Sequence, residues 1–302
     1  MPQLKLVNFS RLHKALADSA QALNEEINRL LPSQEGIGAR LIESMRYSSL
    51  NGGKRLRPFL VMTAADIFSV SPSCAVNVAA ALELLHCYSL VHDDLPSMDN
   101  SDLRRGKPSC HVEFDEATAI LAGDGLLTYA FEILTHPRTH SDPAVRVELI
   151  RRLSQAAGPY GMVGGQMLDI ESENKEWSIG AVTRLQRLKT GELFAFACEA
   201  GAILGKAPQP IRNALLAYAH DLGLAFQITD DLLDVEASTN DKKHARRLGD
   251  EGKPTFVSIL GLEKARLQAN ILADQAISHL DVFDSSADLL RDLARFIVER
   301  ES

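Results

Sequence analysis

Apolar residues recur at helical spacing through most of this 302-residue chain. In the first such segment, Leu12, Leu16, Leu23, Ile27 and Leu30 follow the period of one helix face. The same period predicts helices over residues 10–31, 36–50, 58–69, 73–95, 114–135, 143–157, 177–188, 190–205, 210–234, 254–280 and 286–300. Since no segment shows a convincing strand-like alternation, the pattern predicts an all-α protein.

Two of the predicted helices, over 73–95 and 210–234, are apolar on more than one face. Helices of this kind usually lie at the centre of a fold, where other helices cover them. We therefore expect one large helical domain over residues 1–302. The most polar internal stretch, 236–252, is predicted to be a loop between helices.

Composition excludes some classes of protein. The net charge of −8 argues against a nucleic-acid-binding protein. No run of 18 consecutive apolar residues and no signal-peptide pattern is present, so we expect a cytoplasmic protein without stable membrane association. The cysteines have no metal-binding spacing and are predicted to be reduced core thiols: Cys74, Cys87, Cys110 and Cys198.

An aspartate cluster ends the first of the two apolar helices, in the sequence Asp93-Asp94-Leu95-Pro96-Ser97-Met98-Asp99. Carboxylates are costly to bury unless they are paired or bind a metal ion. Asp93 and Asp99 would not align on a straight helix. Pro96 breaks or bends that helix, so a loop can bring Asp99 back towards Asp93.

A second cluster ends the other apolar helix, in the sequence Asp230-Asp231-Leu232-Leu233-Asp234. Asp230 and Asp234 are four residues apart and share one helix face. Magnesium favours one or two carboxylates together with phosphates and retained waters, so two such clusters suit several Mg²⁺ ions bridging a diphosphate. The alternative for each cluster is a solvated helix end or cap.

Basic residues accompany these clusters. Lys54 and Arg57 precede Pro58, a natural first helical residue, so they lie where a helix N-terminus already favours an anion. Arg104 and Arg105 follow the first cluster and can grip phosphate oxygens. An exposed basic turn and a surface salt-bridge patch are the respective alternatives.

Isolated polar side chains interrupt other apolar segments. Lys189 lies in one such segment and could equally be a surface lysine with a buried stem. His86 lies two helical turns before the first cluster, although a lone His on an apolar helix is more often a satisfied core residue. Gln227 shares a face with the second cluster, and Gln166 shares a face with Asp169.

Taken in order, these motifs strongly resemble the trans-prenyl diphosphate synthase family, and most closely its bacterial farnesyl diphosphate synthases. The matching segments cover nearly the whole chain: GGKRLRP, LLHCYSLVHDDLPSMD, LRRGKP, LAGDGLL, GGQMLDI, KTGELF, FQITDDLLD and GKPTF. The resemblance implies the isoprenoid synthase fold, a large helical bundle around a deep central cavity, and a homodimer. It also implies condensation of dimethylallyl or geranyl diphosphate with isopentenyl diphosphate to give (2E,6E)-farnesyl diphosphate and free diphosphate.

The resemblance also implies roles for individual residues. The implied ligands of three Mg²⁺ ions, or of Mn²⁺ in their place, are Asp93, Asp99 and Asp230, supported by Asp94 and Asp234. The residues implied to hold the allylic diphosphate are Arg104, Lys189 and Lys243. Those implied to hold isopentenyl diphosphate are Lys54, Arg57, His86 and Arg105. Those implied to lie near the developing carbocation, completing the catalytic set, are Thr190 and Gln227.

The chain departs from the family pattern in two places. Asn100-Ser101-Asp102 stands where many relatives have more Asp. The usual Gly after the loop lysine is missing, so either Lys242 or Lys243 could be the residue that reaches the allylic diphosphate.

Tyr88 is the candidate determinant of product length. It lies five residues before Asp93, about 7.5 Å deeper along the helix. An aromatic residue at this position accompanies short products in the family, so the resemblance implies a fifteen-carbon product. The alternative is that Tyr88 is only a core residue.

Four other classes compete with this interpretation. A terpene cyclase would not need the residues implied to hold isopentenyl diphosphate, and Tyr88 argues against a synthase of longer products such as geranylgeranyl diphosphate. An HD-type phosphohydrolase, considered because of His92-Asp93, needs further His ligands upstream. A non-catalytic homologue is disfavoured by the intact Asp and basic motifs.

Overall fold

The computed structural model describes residues 9–33, 35–36, 38–173, 175–240 (backbone alone at 238–240) and 253–300. The α-helices in this part are α1 (Ser10–Leu30), α2 (Ala39–Leu50), α3 (Leu56–Ile67), α4 (Pro72–Asp93), α5 (Cys110–Glu113), α6 (Glu116–Thr135), α7 (Pro143–Ala157), α8 (Met162–Ser172), α9 (Ile179–Gln186), α10 (Glu192–Leu204), α11 (Gln209–Asn240), α12 (Phe256–Leu260), α13 (Leu262–His279) and α14 (Asp288–Glu299). A π-helical turn spans Arg187–Gly191 and a 3₁₀ turn spans Ser285–Ala287. The strands are β1 (Leu103–Arg104) and β2 (Lys107–Pro108).

Helix α4 lies at the centre of the bundle, as its apolar composition predicts. It packs against α1, α2, α3, α6 and α10. A helix covered on so many sides must be apolar around most of its circumference. Its last turn therefore delivers the first Asp cluster to the end of a rigid, buried element.

Helix α11 links two apolar clusters of the core. Leu215 and Leu222 in its first half belong to the larger cluster. Ile228 and Leu232 in its second half belong to a smaller cluster shared with α9, α12 and α13. The single domain expected over 1–302 stays a prediction.

Helix α8 is absent from the periodicity prediction. Its sequence contains Gly164 and Gly165, which have low helix propensity and interrupt the apolar period. In the fold, a β-carbon at Gly165 would lie only 2.2 Å from the backbone nitrogen of Lys189. Close packing against a neighbouring backbone therefore requires glycine at position 165, and this glycine interrupts the apolar period by which the helix would have been predicted.

A β-hairpin follows the first Asp cluster, although no strand was predicted. Leu103 pairs with Pro108 and Arg104 pairs with Lys107 in antiparallel register. The loop residues Arg105 and Gly106 have φ of 54° and 78°, which is typical of a two-residue hairpin turn. Strands of two residues are too short to show an alternating pattern.

Two predicted boundaries after residue 234 are wrong. Helix α11 continues to Asn240, and an ion pair from Arg266 to Glu236 supports its last turns, so 236–240 is not a loop. Residues 241–252, including Lys242 and Lys243, lie outside the described part of the chain. The single helix predicted over 254–280 is two helices, because the chain leaves helical geometry at Gly261.

By length and composition, α4 and α6 could each cross a membrane, within the described residues. No membrane span was expected from the sequence, because isolated polar residues interrupt the apolar runs of both helices. The apolar window of α4 is 72% buried, as expected for a core helix. That of α6 is only 39% buried, so α6 presents apolar surface to the outside of the chain.

Candidate active site

The first Asp cluster folds back on itself at the end of α4. The backbone N–H of Asp99 donates to the carbonyl of Asp93 at 2.8 Å, and that of Asn100 donates to Leu95 at 3.1 Å. This turn contains Pro96, the residue that predicted the break. The structure therefore brings Asp99 back beside Asp93, as the sequence indicated.

The carboxylates of this cluster differ in their surroundings. Burial raises the pKa of Asp93 to about 6; Lys189 opposes the rise and the neighbouring Asp99 adds to it. Asp94 is almost completely buried and forms an ion pair with Arg104, whose Nε lies 3.1 Å from both carboxylate oxygens. Asp93 is thus poorly compensated by protein cations, whereas Asp94 is compensated by Arg104.

The carboxylates of the second cluster also differ in their surroundings. Asp230 is paired with Arg300 near the end of the described chain, and burial raises the pKa of this carboxyl. Asp231 accepts from the backbone N–H of Phe256 and from Nε2 of Gln227, both at 3.0 Å. Asp231 therefore joins α11 to α12 and orients Gln227. Asp234, one turn further, is exposed.

The π-helical turn carries the predicted Lys189 and Thr190. Turns of this kind occur frequently at functional sites because the extra residue redirects side chains. Lys189 Nζ lies 2.7 Å from Asp169 Oδ2, and Thr190 Oγ1 lies 3.4 Å from Gln227 Oε1. The π-helical turn therefore contacts α8 through Lys189 and α11 through Thr190.

A cavity of about 450 Å³ extends from this turn along α4. Its wall is mainly apolar but includes the polar side chains of Arg57, His86, Asp93 and Lys189. The lining residues are Arg57, His86, Tyr88, Ser89, Leu90, His92, Asp93, Met98, Met162, Val163, Gln166, Met167, Ile170, Lys189 and Thr190. A mainly apolar cavity that is also lined by charged groups suits a ligand with a hydrocarbon chain and an anionic head.

A second, basic pocket of about 150 Å³ adjoins it. The residues that line the basic pocket are Lys54, Arg55, Leu56, Arg57, Glu83, His86, Arg105, Phe194 and Phe226. All four residues that the resemblance assigned to isopentenyl diphosphate are among them. Since Arg57 and His86 line both spaces, the two candidate ligand sites meet at these side chains.

Arg57 is the most unusual cation of the site. Burial lowers its pKa to about 10, and its Nε has no hydrogen-bond partner within the described residues. Its guanidinium lies 4.9 Å from the Phe194 ring centroid and 3.3 Å from the His86 ring. Burial, and then the charge of Arg57, lowers the pKa of His86 well below its ordinary value, so this imidazole is neutral. A buried, under-compensated arginine beside a pocket favours an anionic ligand.

Two cations of the site were missed by sequence reasoning. Lys253 Nζ lies 3.4 Å from Asp99 Oδ1 and 3.2 Å from Asp169 Oδ2. Arg300 pairs with Asp230, and its guanidinium lies 4.6 Å from the Phe226 ring centroid. The isolated Lys253 in the matching GKPTF segment was a usable signal, whereas nothing near Arg300 marked it.

The carboxylate groups fit magnesium bound together with an anionic ligand. Their donors are all oxygens, which Mg²⁺ favours. No three His, Cys, Asp or Glu side chains converge into a complete metal site within the described ranges. Magnesium ordinarily needs only one or two carboxylates, because phosphates and waters complete its shell. Protein cations hold three of the carboxylates in the structure: Arg104 on Asp94, Lys253 on Asp99 and Arg300 on Asp230.

The chain belongs to the polyprenyl synthetase family, whose sequence model matches residues 39–287. It is 40% identical over 305 residues to the farnesyl diphosphate synthase of Geobacillus stearothermophilus, covering 100% of both chains. It is 42% identical over 297 residues to that of Haemophilus influenzae, covering 95% and 99% of the two chains. The family resemblance seen in the motifs is therefore confirmed.

A solved structure matches the whole fold. The crystal structure of an apo FPP/GFPP synthase from Zymomonas mobilis is 50% identical, with a TM-score of 0.87 over 95% of this chain and 99% of that one. This match confirms the expected isoprenoid synthase fold.

Proposed function

We propose that this protein is a magnesium-dependent farnesyl diphosphate synthase. It would condense dimethylallyl or geranyl diphosphate with isopentenyl diphosphate to give (2E,6E)-farnesyl diphosphate and release diphosphate. One observation carries this proposal: a mainly apolar cavity lined by Asp93 meets a basic pocket at Arg57 and His86. A two-substrate condensation needs two anionic substrates side by side, which this arrangement accommodates. The names of the relatives described above support the same activity.

Each substrate has a place in this arrangement. The allylic chain would lie in the large cavity, with its diphosphate near Asp93, Arg104 and Lys189. Isopentenyl diphosphate would place its diphosphate in the basic pocket. Its double bond then lies close to the allylic carbon, and positioning of this kind removes much of the entropic cost of the reaction.

Magnesium would be held by Asp93, Asp99 and Asp230, with Asp94 and Asp234 supporting it through water or indirectly; Mn²⁺ could replace it. Three bound ions would supply Lewis-acid stabilisation of the departing diphosphate. In the structure, Lys253 pairs with Asp99 and Arg300 pairs with Asp230.

The protein's own residues then stabilise charge and exclude water. The carbon–oxygen bond of the allylic diphosphate breaks, and Arg104 and Lys189 hold the departing anion. The Thr190 hydroxyl lines the cavity and donates to the Gln227 amide oxygen, so the dipoles of both groups would lie near the positive charge. A new carbon–carbon bond forms to isopentenyl diphosphate, and the departing diphosphate accepts the proton that is lost. The apolar wall keeps out water that would quench the cation.

The direct test is product analysis with purified protein, isopentenyl diphosphate and geranyl diphosphate, with Mg²⁺ or with EDTA. We expect a fifteen-carbon diphosphate that forms only with the metal ion. Condensation that persists in EDTA contradicts the metal dependence. No condensation with either allylic substrate contradicts the activity and favours a cyclase or a non-catalytic homologue.

A longer product is the second candidate, and a feature of α8 favours it. Val163, Met167 and Ile170 line the cavity yet are 49%, 51% and 38% exposed, so that wall is partly open. An open wall could admit a longer chain. A twenty-carbon or longer product in the same assay would support this alternative and retain the reaction class.

Lys253 provides a test of the allylic diphosphate site. In Lys253→Met we expect kcat to fall on the order of 10²-fold, because the cation that pairs with Asp99 and shares Asp169 with Lys189 would no longer help to stabilise the departing diphosphate. Steady-state kinetics with geranyl diphosphate measures this effect. Lys206→Met is the matched control, because Lys206 is exposed and pairs only with Asp142 among the described residues. Equal kinetics in the two variants would remove Lys253 from the site.

We also propose that the chain forms a homodimer through α6 in the cytoplasm. Ile120 and Leu121 are 44% and 57% exposed on this helix, and Val112 of α5 is 49% exposed beside it. A second copy with the same apolar patch would cover it, as in most symmetric dimers.

A charge placed in this patch tests the interface. Leu121→Glu should convert the dimer to monomer in light scattering, because the carboxylate would be buried unpaired. Val282→Glu, at an exposed position away from α6, should remain dimeric. A monomeric wild type would contradict the homodimer, and its sedimentation with lipid vesicles would identify a membrane-binding face instead.

A further inference from the structure

Glu83 is the one carboxylate among the described residues that line the basic pocket. It lies on α4 one turn before His86, and only 2% of its surface is exposed. A negative charge beside a diphosphate site weakens the attraction of the pocket for its ligand. Its presence there therefore calls for a compensating benefit.

Glu83 first compensates a buried arginine. It forms an ion pair with Arg55, which is itself 4% exposed. Arg55 Nη2 also donates to the Ser49 carbonyl at 2.6 Å and to Asn24 Oδ1 at 3.2 Å. Since α1, α2 and Glu83 all engage this guanidinium, Arg55 is structural and is held away from a ligand.

Glu83 also reaches the neighbouring Arg105. Its Oε1 lies 3.8 Å from Arg105 Nη2, while Arg105 Nη1 donates to the Gly52 carbonyl. A β-carbon at Gly53 would lie 2.5 Å from the Arg105 guanidinium carbon, so only glycine leaves room for this placement. The Gly52 carbonyl orients the guanidinium through a hydrogen bond, the Glu83 carboxylate attracts it at ion-pair distance, and the bare backbone at Gly53 leaves room for it.

We propose that Glu83 is a positioning residue that fixes Arg105 for the diphosphate of isopentenyl diphosphate, an inference that rests on the proposed function. The arginine fork must present two N–H groups in one plane to grip phosphate oxygens. Glu83 attracts the Arg105 guanidinium towards that orientation at ion-pair distance, and at the same time it neutralises Arg55, so that the cations left for the ligand are Lys54, Arg57 and Arg105. The orienting effect outweighs the repulsion of the ligand by the carboxylate.

Glu83→Gln separates orientation from simple charge. If Glu83 acts as proposed, the KM for isopentenyl diphosphate rises about 10-fold or more, whereas the KM for geranyl diphosphate changes less than about 2-fold. If only net charge matters, removing the carboxylate tightens binding and lowers the KM for isopentenyl diphosphate. Glu83→Asp should fall between Gln and wild type. Glu263→Gln, on the exposed start of α13, is the matched control.

A double variant covers the case in which Glu83→Gln does not fold. Arg55→Met/Glu83→Leu replaces the buried pair with apolar groups, which proteins often tolerate. Arg105 still loses its carboxylate, so the selective rise in KM should persist. A folded double variant with wild-type KM for isopentenyl diphosphate overturns the proposal.

Calorimetric binding of isopentenyl diphosphate without an allylic substrate gives a readout independent of turnover. A wild type that binds this ligand in the calorimeter but gives no product with geranyl diphosphate contradicts the proposed function, and the role of Glu83 in binding can still be measured. Under the proposal, Glu83→Gln then weakens binding about 10-fold. Equal affinity of wild type and Glu83→Gln overturns the positioning role.

Discussion

Asp93→Asn should abolish nearly all condensation while stabilising the metal-free protein. We expect kcat to fall on the order of 10³-fold, because a principal ligand of the metal ions that stabilise the departing diphosphate is lost. Burial raises the pKa of Asp93 to about 6, above its ordinary value, so ionisation of this carboxyl costs folding free energy. The wild type is therefore expected to lose stability as pH rises through about 6. Asn has no charge to bury.

Thermal unfolding in EDTA at pH 5 and pH 8 measures this second effect. The Tm of Asp93→Asn should exceed that of wild type at pH 8, and the difference should be smaller at pH 5, which lies between the ordinary pKa of 3.8 and the raised value of about 6. Asp102→Asn is the matched control, because Asp102 is an exposed residue of the same turn region and no role in the site is assigned to it. A variant that keeps wild-type kcat would remove Asp93 from the metal site. A lower Tm at pH 8 would show that the carboxylate stabilises the fold.

Tyr88→Ala should change the principal product from fifteen carbons to twenty or more. Tyr88 lines the large cavity and is 7% exposed. Its ring meets the His92 ring edge-on at 5.6 Å, and His92 Nε2 lies 3.1 Å from the Ile120 carbonyl. The His92 ring, which is anchored to α6, thus packs against one side of the Tyr88 ring and limits its rotation. Removing it deepens the cavity, so a growing chain can pass that point.

Chromatography of the dephosphorylated products measures chain length directly. Tyr160→Ala is the matched control, since Tyr160 is 90% exposed and does not line the cavity. If Tyr88→Ala still stops at fifteen carbons, Tyr88 is a core residue and another part of the cavity wall limits the chain. If the wild type already makes a twenty-carbon product, Tyr88 does not limit the product to fifteen carbons.

Local chemistry explains why much of the site could be predicted from sequence. Pro96 cannot continue a helix, so the return of Asp99 to Asp93 follows from the chain itself. The buried position of α4 follows from its apolar faces, because such a helix cannot remain stable in water. Helix α3 begins at Leu56, two residues before the predicted start at Pro58, and Arg57 therefore lies in its first turn.

Other parts of the site depend on contacts between distant segments. The π-helical turn at Lys189 was predicted as a break between two helices, because periodicity does not register one extra residue. The hairpin that presents Arg105 is too short for any pattern. Helix α8 was not predicted because Gly165 is needed for close packing against the backbone of the π-helical turn, although glycine disfavours the helix in which it lies.

The sequence by itself determined the helical class, the two Asp clusters and the basic residues, because helix periodicity and side-chain chemistry are local properties. Only the tertiary structure decided which charges meet. It paired Lys253 with Asp99, Arg300 with Asp230 and Glu83 with Arg55, over long separations along the chain. Ion pairs of this kind produce no periodic pattern in the sequence. A charged residue that is solvated by water cannot be distinguished in the sequence from one that pairs with a distant residue. The packing of helices around α4 and α11 supplies that partner.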